Sequence, residues 1–220
     1  VPFCGHATIA SGVALAERGA PVDLRLRTND GIVAVRVETG ADWPEATLTS
    51  VATWVTPAPT ALLTGALALL DWRPDDLEPA LPPAVAYAGA KHLVVAVRDL
   101  ATLQRMAYPF EPMQALMLGH DLTTVQLVWR ASPTLFHARD PFAVGGVVED
   151  PATGAAAAAF GAYLRDRGDI TAPASFDIIQ GVEMGRPSRL VVSIAPGEAG
   201  VRVTGAAVPI SPAGASAAPP

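Results

Sequence analysis

The chain has 220 residues, half of them hydrophobic, and its 15 Lys and Arg stand against 21 Asp and Glu for a formal net charge of −6. That balance excludes a basic nucleic-acid surface, which needs concentrated Lys and Arg to neutralise phosphates, and points to a small-molecule partner. A single cysteine, Cys4, excludes an internal disulfide and a thiolate metal cluster and fits a reducing cytoplasm.

In chain order, CGHATIASGVALAERG (Cys4 to Gly19) reads as a glycine-led helix. VDLRLRT (Val22 to Thr28) and GIVAVRVE (Gly31 to Glu38) alternate apolar and polar around Asn29-Asp30-Gly31, a hairpin signature. Ala46 to Val55 reads as a third strand, Thr60 to Leu70 as a helix, and the acidic, proline-rich Arg73 to Pro83 as a surface linker. A second unit follows: strand Ala90 to Val97, short helices Leu100 to Met106 and Glu111 to Leu118, and strands Thr123 to Trp129 and Thr134 to Arg139. A helix from Thr153 to Gly168 comes next, then strands within Phe176 to Gly185, Arg189 to Ala195 and Gly200 to Ile210. The apolar runs Thr60 to Leu70 and Gly154 to Leu164 fall short of the roughly 20 residues that span a bilayer, and no signal-peptide pattern opens the chain.

The first and the last helix are related. At a constant offset of 149 residues, Gly5, Ala7, Ala10, Gly12, Leu15, Arg18 and Gly19 match Gly154, Ala156, Ala159, Gly161, Leu164, Arg167 and Gly168. A repeat of that span implies two similar units, each presenting a glycine and then a helix N-terminus. Free N–H groups and the positive end of the dipole collect there, so two facing ends make an anion-binding cleft. The expected fold is α+β, in two pseudo-symmetric domains, each a mainly antiparallel sheet wrapped around a central helix. Residues 1–84 form the first domain, 85–210 the second and 211–220 a disordered tail. The second unit, starting near Val85, has no counterpart at the same offset within the chain, so the first domain is expected to lack its N-terminal part.

Glu149 to Ala155, EDPATGA, is the densest candidate site, with two carboxylates before a helix N-terminus that favours negative charge. Plain helix capping is the alternative for Asp150, Thr153 and Gly154. His6, in the first turn of the first helix, is placed as a neutral imidazole able to take or give a proton, or else as a buried histidine bonded to a carbonyl. Cys4 is either an activated thiol at a helix N-terminus or a small packing residue. His92, His120 and His137 show no metal spacing and read as structural or surface residues. Gln180 to Arg189, QGVEMGRPSR, is a stiff turn or brings Arg186 to an anion. Met113 and Met117, four apart on a helix, read as core.

PFCGHATIA (Pro2 to Ala10), EDPATGAAA (Glu149 to Ala157) and QGVEMGRPSRL (Gln180 to Leu190) together resemble the PhzF-like phenazine-biosynthesis isomerase family, in order from Val1 to about Ile210. The resemblance implies the diaminopimelate epimerase-like fold and a cofactor-free proton shift on a small carboxylate-bearing ring substrate. By motif, His6 and Asp150 fall at catalytic positions, and Gly5, Ala7, Thr153, Gly154 and Ala155 at substrate-binding ones, with no metal. Where the family motif commonly continues Gly-Ser, Ala155 follows Gly154 here. The family's proton-shuttling glutamate belongs to a strand before the glycine-histidine pair, hence before Val1, and Glu149 could stand in for it only if the cleft geometry allowed.

The leading expectation is therefore a cofactor-independent, cytoplasmic isomerase or epimerase acting by general acid/base catalysis, with neither nucleic acid nor membrane as partner and a homodimer left open. The rivals are a non-catalytic small-carboxylate-binding protein and a racemase working through Cys4.

Overall fold

Alternation and burial follow each other closely along the chain of the computed structural model, which describes residues 5–28, 31–39 and 43–207. Helix α1 (Gly5–Glu17) leads into the hairpin β1 (Asp23–Thr28) and β2 (Gly31–Thr39), paired antiparallel with Thr28 opposite Gly31. In β2, Val33, Val35 and Val37 are buried while Ile32, Ala34 and Arg36 face solvent, the period of two that a half-buried strand requires. Then come β3 (Pro44–Thr49), β4 (Trp54–Pro57), α2 (Thr60–Leu70), β5 (Ala84–Tyr87) and β6 (Lys91–Val97). They are followed by α3 (Leu100–Gln104), α4 (Phe110–Gly119), β7 (Thr124–Ser132), β8 (Leu135–Pro141), the short β9 (Glu149–Asp150) and α5 (Gly154–Arg167). β10 (Ala174–Gln180), β11 (Ser188–Ile194) and β12 (Arg202–Ala206) close the described chain.

The strands run in the order β1-β2-β3-β12-β11-β10-β8-β7-β6-β5-β4, with β9 paired to β8. Among the described residues only the β6–β7 and β8–β10 neighbours are parallel. Helices α1 and α5 pack on one face and α2, α3 and α4 on the other, so the sheet separates two apolar cores. β6 lies beneath both layers, and His92 to Val97 is buried without a break, whereas the strands with a solvent face alternate. On the α5 side Phe136 meets Phe160 and Phe176 edge to face, at 4.9 and 5.3 Å between ring centroids. Each such pair adds about 0.5–1.5 kcal/mol beyond burial. Met113 and Met117 are buried in the opposite core, as their spacing predicts.

The repeated residues hold equivalent places in the two helices. A Cβ on Gly12 would sit 2.7 Å from Val35 Cγ1, and one on Gly161 would sit 2.8 Å from Val192 Cγ1, so both glycines let a helix lie close against its strands. Both helices end in a left-handed glycine, Gly19 at φ 86° and Gly168 at φ 80°. The closing hydrogen bonds, Ala20 N to Leu15 O and Asp169 N to Leu164 O, are each 3.0 Å and again 149 residues apart. The environments differ, however: α5 is buried on all sides from Gly154 to Leu164, while α1 buries only Gly5, Thr8, Ile9, Gly12 and Val13.

Several sequence expectations need correction. Ala46 to Val55 is two strands, because the chain leaves β3 at Ser50, whose N–H and hydroxyl both bond the Val201 backbone, and β4 joins the opposite edge of the sheet. Arg73 to Pro83 is no surface linker: a short 3-10 turn, Pro74–Asp76, lets Leu77 and Leu81 enter the core. The strand within Phe176 to Gly185 stops at Gln180, since Gly181, at φ 79°, starts a turn. Apart from these corrections, the described strands join in one sheet that runs past residue 84, with β4 pairing β5 and β12 pairing β3. Cys4, the Asn29-Asp30 turn and residues 211–220 lie outside the described residues.

Candidate active site

Two helix N-termini meet at glycines. A Cβ on Gly5 would stand 2.8 Å from Gly154 Cα and 3.0 Å from Ala155 N, and one on Gly154 would stand 3.3 Å from Gly5 Cα. Backbone thus touches backbone, which a side chain at Gly5 would prevent. The first-turn N–H groups and positive dipole ends of α1 and α5 collect at this junction.

Beside it, His6 Nδ1 lies 3.6 Å from Asp150 Oδ2. The imidazole is half exposed, not a buried core histidine, whereas Asp150 is buried at the end of β9. Asp150 is held from behind. Thr153 Oγ1 donates to Asp150 Oδ2 at 2.8 Å, and Gln180 Nε2 donates to Asp150 O at 2.7 Å and to Thr153 Oγ1 at 2.9 Å. Gln180 Oε1 in turn accepts from Thr153 N at 3.1 Å. Thr153 occupies the N-cap position of α5, yet its side chain makes no capping hydrogen bond and serves Asp150 instead. Plain capping does not describe this segment. At Gly181 a Cβ would come within 2.8 Å of Pro151 O and 2.4 Å of Arg186 O, so the 181–186 turn closes tightly under the same segment.

Of the residues singled out in the sequence, Gly5, His6, Asp150, Thr153, Gly154 and Ala155 come together. Ala7 sits exposed in the first turn of α1. A groove of about 410 Å³ beside the junction is lined by His6, Ile9, Trp43, Gly154, Ser188 and Arg189 among others. Glu149 does not join the site and cannot stand in there for a proton-shuttling glutamate. It turns to the other face, where Arg139 grips both its oxygens at 2.6 and 3.0 Å. Arg186 is an exposed member of a turn whose N–H bonds Gly181 O. His120 ends α4, and His137 packs on Trp129. Among the described residues no three His, Cys, Asp or Glu side chains gather to hold a metal, and no helix is long and apolar enough to cross a membrane.

The sequence reading gave no part in the site to three buried polar residues near it. Gln180 continues the inward positions Phe176 and Ile178 of β10, and a polar residue on that apolar phase was the available signal. Asp140 on β8 and His92 on β6 are fully buried. His92 Nδ1 and Thr124 Oγ1 are 2.8 Å apart, and Thr124 Oγ1 donates to Asp140 Oδ1 at 3.4 Å. Burial depresses the His92 imidazole to about 3. It drives the Asp140 carboxyl well above the usual carboxylate range, helped by the charges of Asp150 and Glu149 and partly opposed by the Thr153 and Thr124 hydroxyls.

The fold of this chain, one sheet carrying two glycine-led helices, is also found in solved structures. The solved structure of a predicted epimerase from Pseudomonas aeruginosa matches with a TM-score of 0.78 and 25% identity, covering 94% of this chain and 72% of that one. The chain belongs to the phenazine biosynthesis-like protein family, PhzC-PhzF, whose model matches residues 1–213. It is 28% identical over 190 residues to the trans-2,3-dihydro-3-hydroxyanthranilate isomerase of Pseudomonas chlororaphis, covering 86% of this chain and 64% of that enzyme, so it spans less than two thirds of that relative. It is also similar, at 26% identity, to an uncharacterized isomerase of Bacillus subtilis, covering 94% of this chain and 73% of the relative. At 16% identity and a TM-score of 0.60, a hydroxyproline epimerase from Agrobacterium vitis with bound trans-4-hydroxy-L-proline shares the fold, covering 93% of this chain and 65% of that one.

Proposed function

We propose that this chain forms the carboxylate-binding and proton-transferring part of an isomerase or epimerase that needs no cofactor. The substrate carboxylate lies between the N-termini of α1 and α5, taking backbone N–H groups from the first turns at Gly5 to Ala7 and at Gly154 and Ala155. Thr153 holds Asp150. Asp150 orients the His6 imidazole, and His6 carries the proton to or from the substrate by general acid/base catalysis. The observation that carries this reading is the approach of His6 Nδ1 to Asp150 Oδ2, 3.6 Å, across two helix N-termini in backbone contact. Before substrate binds, such contacts are often long and tighten in the complex. The second proton carrier in this reading is the glutamate that the family resemblance places before His6, outside this chain. Two pseudo-symmetric units, residues 1–84 and 85–210, belong to the same reading and are supported by the matched glycines and helix endings. Both the isomerase relative and the hydroxyproline-bound structure carry names of small ring carboxylic acids, which supports a substrate of that class.

The test is solvent-deuterium incorporation into small ring carboxylates, using protein made with any coding sequence that precedes Val1. Label should enter the substrate, and His6→Gln should slow exchange by about 10²-fold or more. Binding without exchange overturns the isomerase and leaves a carboxylate-binding protein.

A further inference from the structure

Asp140 and Asp150 face each other across the β8–β9 pair, and both are buried. Two carboxyl groups so placed cannot both be ionised without a cation between them. Arg139 points to the opposite face and is bound by Glu149, and His6 approaches Asp150 from the α1 side, away from Asp140's strand. From β6 the facing group is His92, from β7 the neutral Thr124 and Gln126, and from β10 the neutral Gln180. α5 carries no charged side chain before Arg165. Asp140 Oδ2 and both amide atoms of Gln126 are buried without partners among the described residues. Since Leu127 pairs with Arg139, the antiparallel register carries Gln126 to Asp140. A protonated Asp140 would have the donor that the Gln126 carbonyl lacks.

We propose that Asp140 is a positioning residue for Asp150: the buried row His92, Thr124 and Asp140 ends behind Asp150 and presents it with a carboxylic acid, so that the one negative charge of the carboxyl pair stays on the side facing His6. This rests on the proposed role of His6 and Asp150 and adds the residue that fixes their charge state. The row is ordered in one direction. His92 Nδ1–H donates to Thr124 Oγ1, Thr124 donates to Asp140 Oδ1, and the Asp140 proton sits on Oδ2, away from Thr124. The direction of the Asp140 pKa agrees with this order.

The experiment follows the His6 ring protons by NMR across pH in the complete protein, without substrate. Asp150→Asn should lower the His6 titration midpoint, because it removes the facing charge. Asp140→Asn, which keeps the shape and puts a neutral amide that cannot ionise in place of the acid, should leave the midpoint unchanged. Asp140→Ala should lower it as Asp150→Asn does, because Asp150 loses its support. A drop in Asp140→Asn as large as in Asp150→Asn would mean that Asp140 is ionised, and an unchanged midpoint in Asp140→Ala would mean that it positions nothing. Either result overturns the proposal. Infrared spectra give a check that survives if Asp140→Ala fails to fold: a protonated-carboxyl stretch at neutral pH should be present in the parent and absent from Asp140→Asn, and its absence from the parent refutes the assignment. None of these readouts needs turnover, so a failed deuterium exchange would count against the proposed function and leave this result legible.

Discussion

Replacing Gly5 by alanine tests the contact on which the site is built. The new Cβ would lie 2.8 Å from Gly154 Cα, 3.0 Å from Ala155 N and 3.1 Å from Gly154 C. Carbon atoms rest about 3.6 Å apart, so the helix N-termini would have to separate by about 0.8 Å, and the obstructing atoms are backbone, which cannot rotate away. Overpacking of this kind costs about 1–3 kcal/mol, only partly offset by alanine's better helix propensity. In a chain of this size, at about 2–4 °C per kcal/mol, that is a fall in Tm of about 2–12 °C before the offset. The same movement carries His6 away from Asp150, and a misplacement of about 1 Å costs about 10²-fold in rate. Gly154→Ala is the internal control, because its Cβ meets Gly5 Cα at 3.3 Å, a tight contact that a small adjustment relieves. Melting curves and deuterium exchange measured side by side should show Gly5→Ala impaired in both and Gly154→Ala far less so. Equal behaviour of the two variants, or a wild-type Gly5→Ala, would refute the abutting-helix geometry.

His92 and Asp140 should shape the acid stability in opposite senses. His92 is neutral in the fold and takes up a proton on unfolding below about pH 6.5, so its contribution is lost as pH falls from there toward about 3. Asp140 is held protonated and releases its proton on unfolding above about pH 3.8, so its contribution is lost as pH rises through its raised pKa. Relative to wild type, Asp140→Asn should therefore gain stability as pH rises from about 4, and His92→Gln should lose about 1.4 kcal/mol per pH unit as pH rises between about 3 and 6.5, both read from urea midpoints; parallel profiles for all three proteins would contradict the charge states. Arg139→Met strands the buried Glu149 carboxylate and should cost about 3–5 kcal/mol in urea unfolding, with a loss below about 1 kcal/mol showing the pair to be dispensable. Gly168→Ala puts a Cβ into open space at φ 80°, so only the left-handed backbone is penalised, about 1 kcal/mol by thermal melt, and no loss would argue against that conformation.

Much of the fold was legible because its signals are local. The Thr60–Leu70 helix has the same ends in the sequence reading and in the structure, and the period-two pattern of β2 marks its buried valines. The strand expected at Ala46 to Val55 failed because its apolar pattern continues past Ser50, while the hydrogen bonds that end β3 come from Val201, far along the chain. The linker expected at Arg73 to Pro83 failed for a similar reason: proline and acidic residues mark turns, but the burial of Leu77 and Leu81 is decided by the strands they meet.

The sequence by itself determined the pairing of the two helices. Seven identities at one offset named Gly5 and Gly154 as equivalent, and helix physics makes two such N-termini the proposed anion site. What surrounds that site is a matter of tertiary structure. Asp140, Thr124, His92 and Gln180 stand on four different strands, and only sheet register brings them behind Asp150 and Thr153. Glu149, adjacent to Asp150 in the chain, is sent to the opposite face by the strand's alternation and bound there by Arg139. Local chemistry wrote the two helix ends, and non-local pairing chose which buried groups stand behind them.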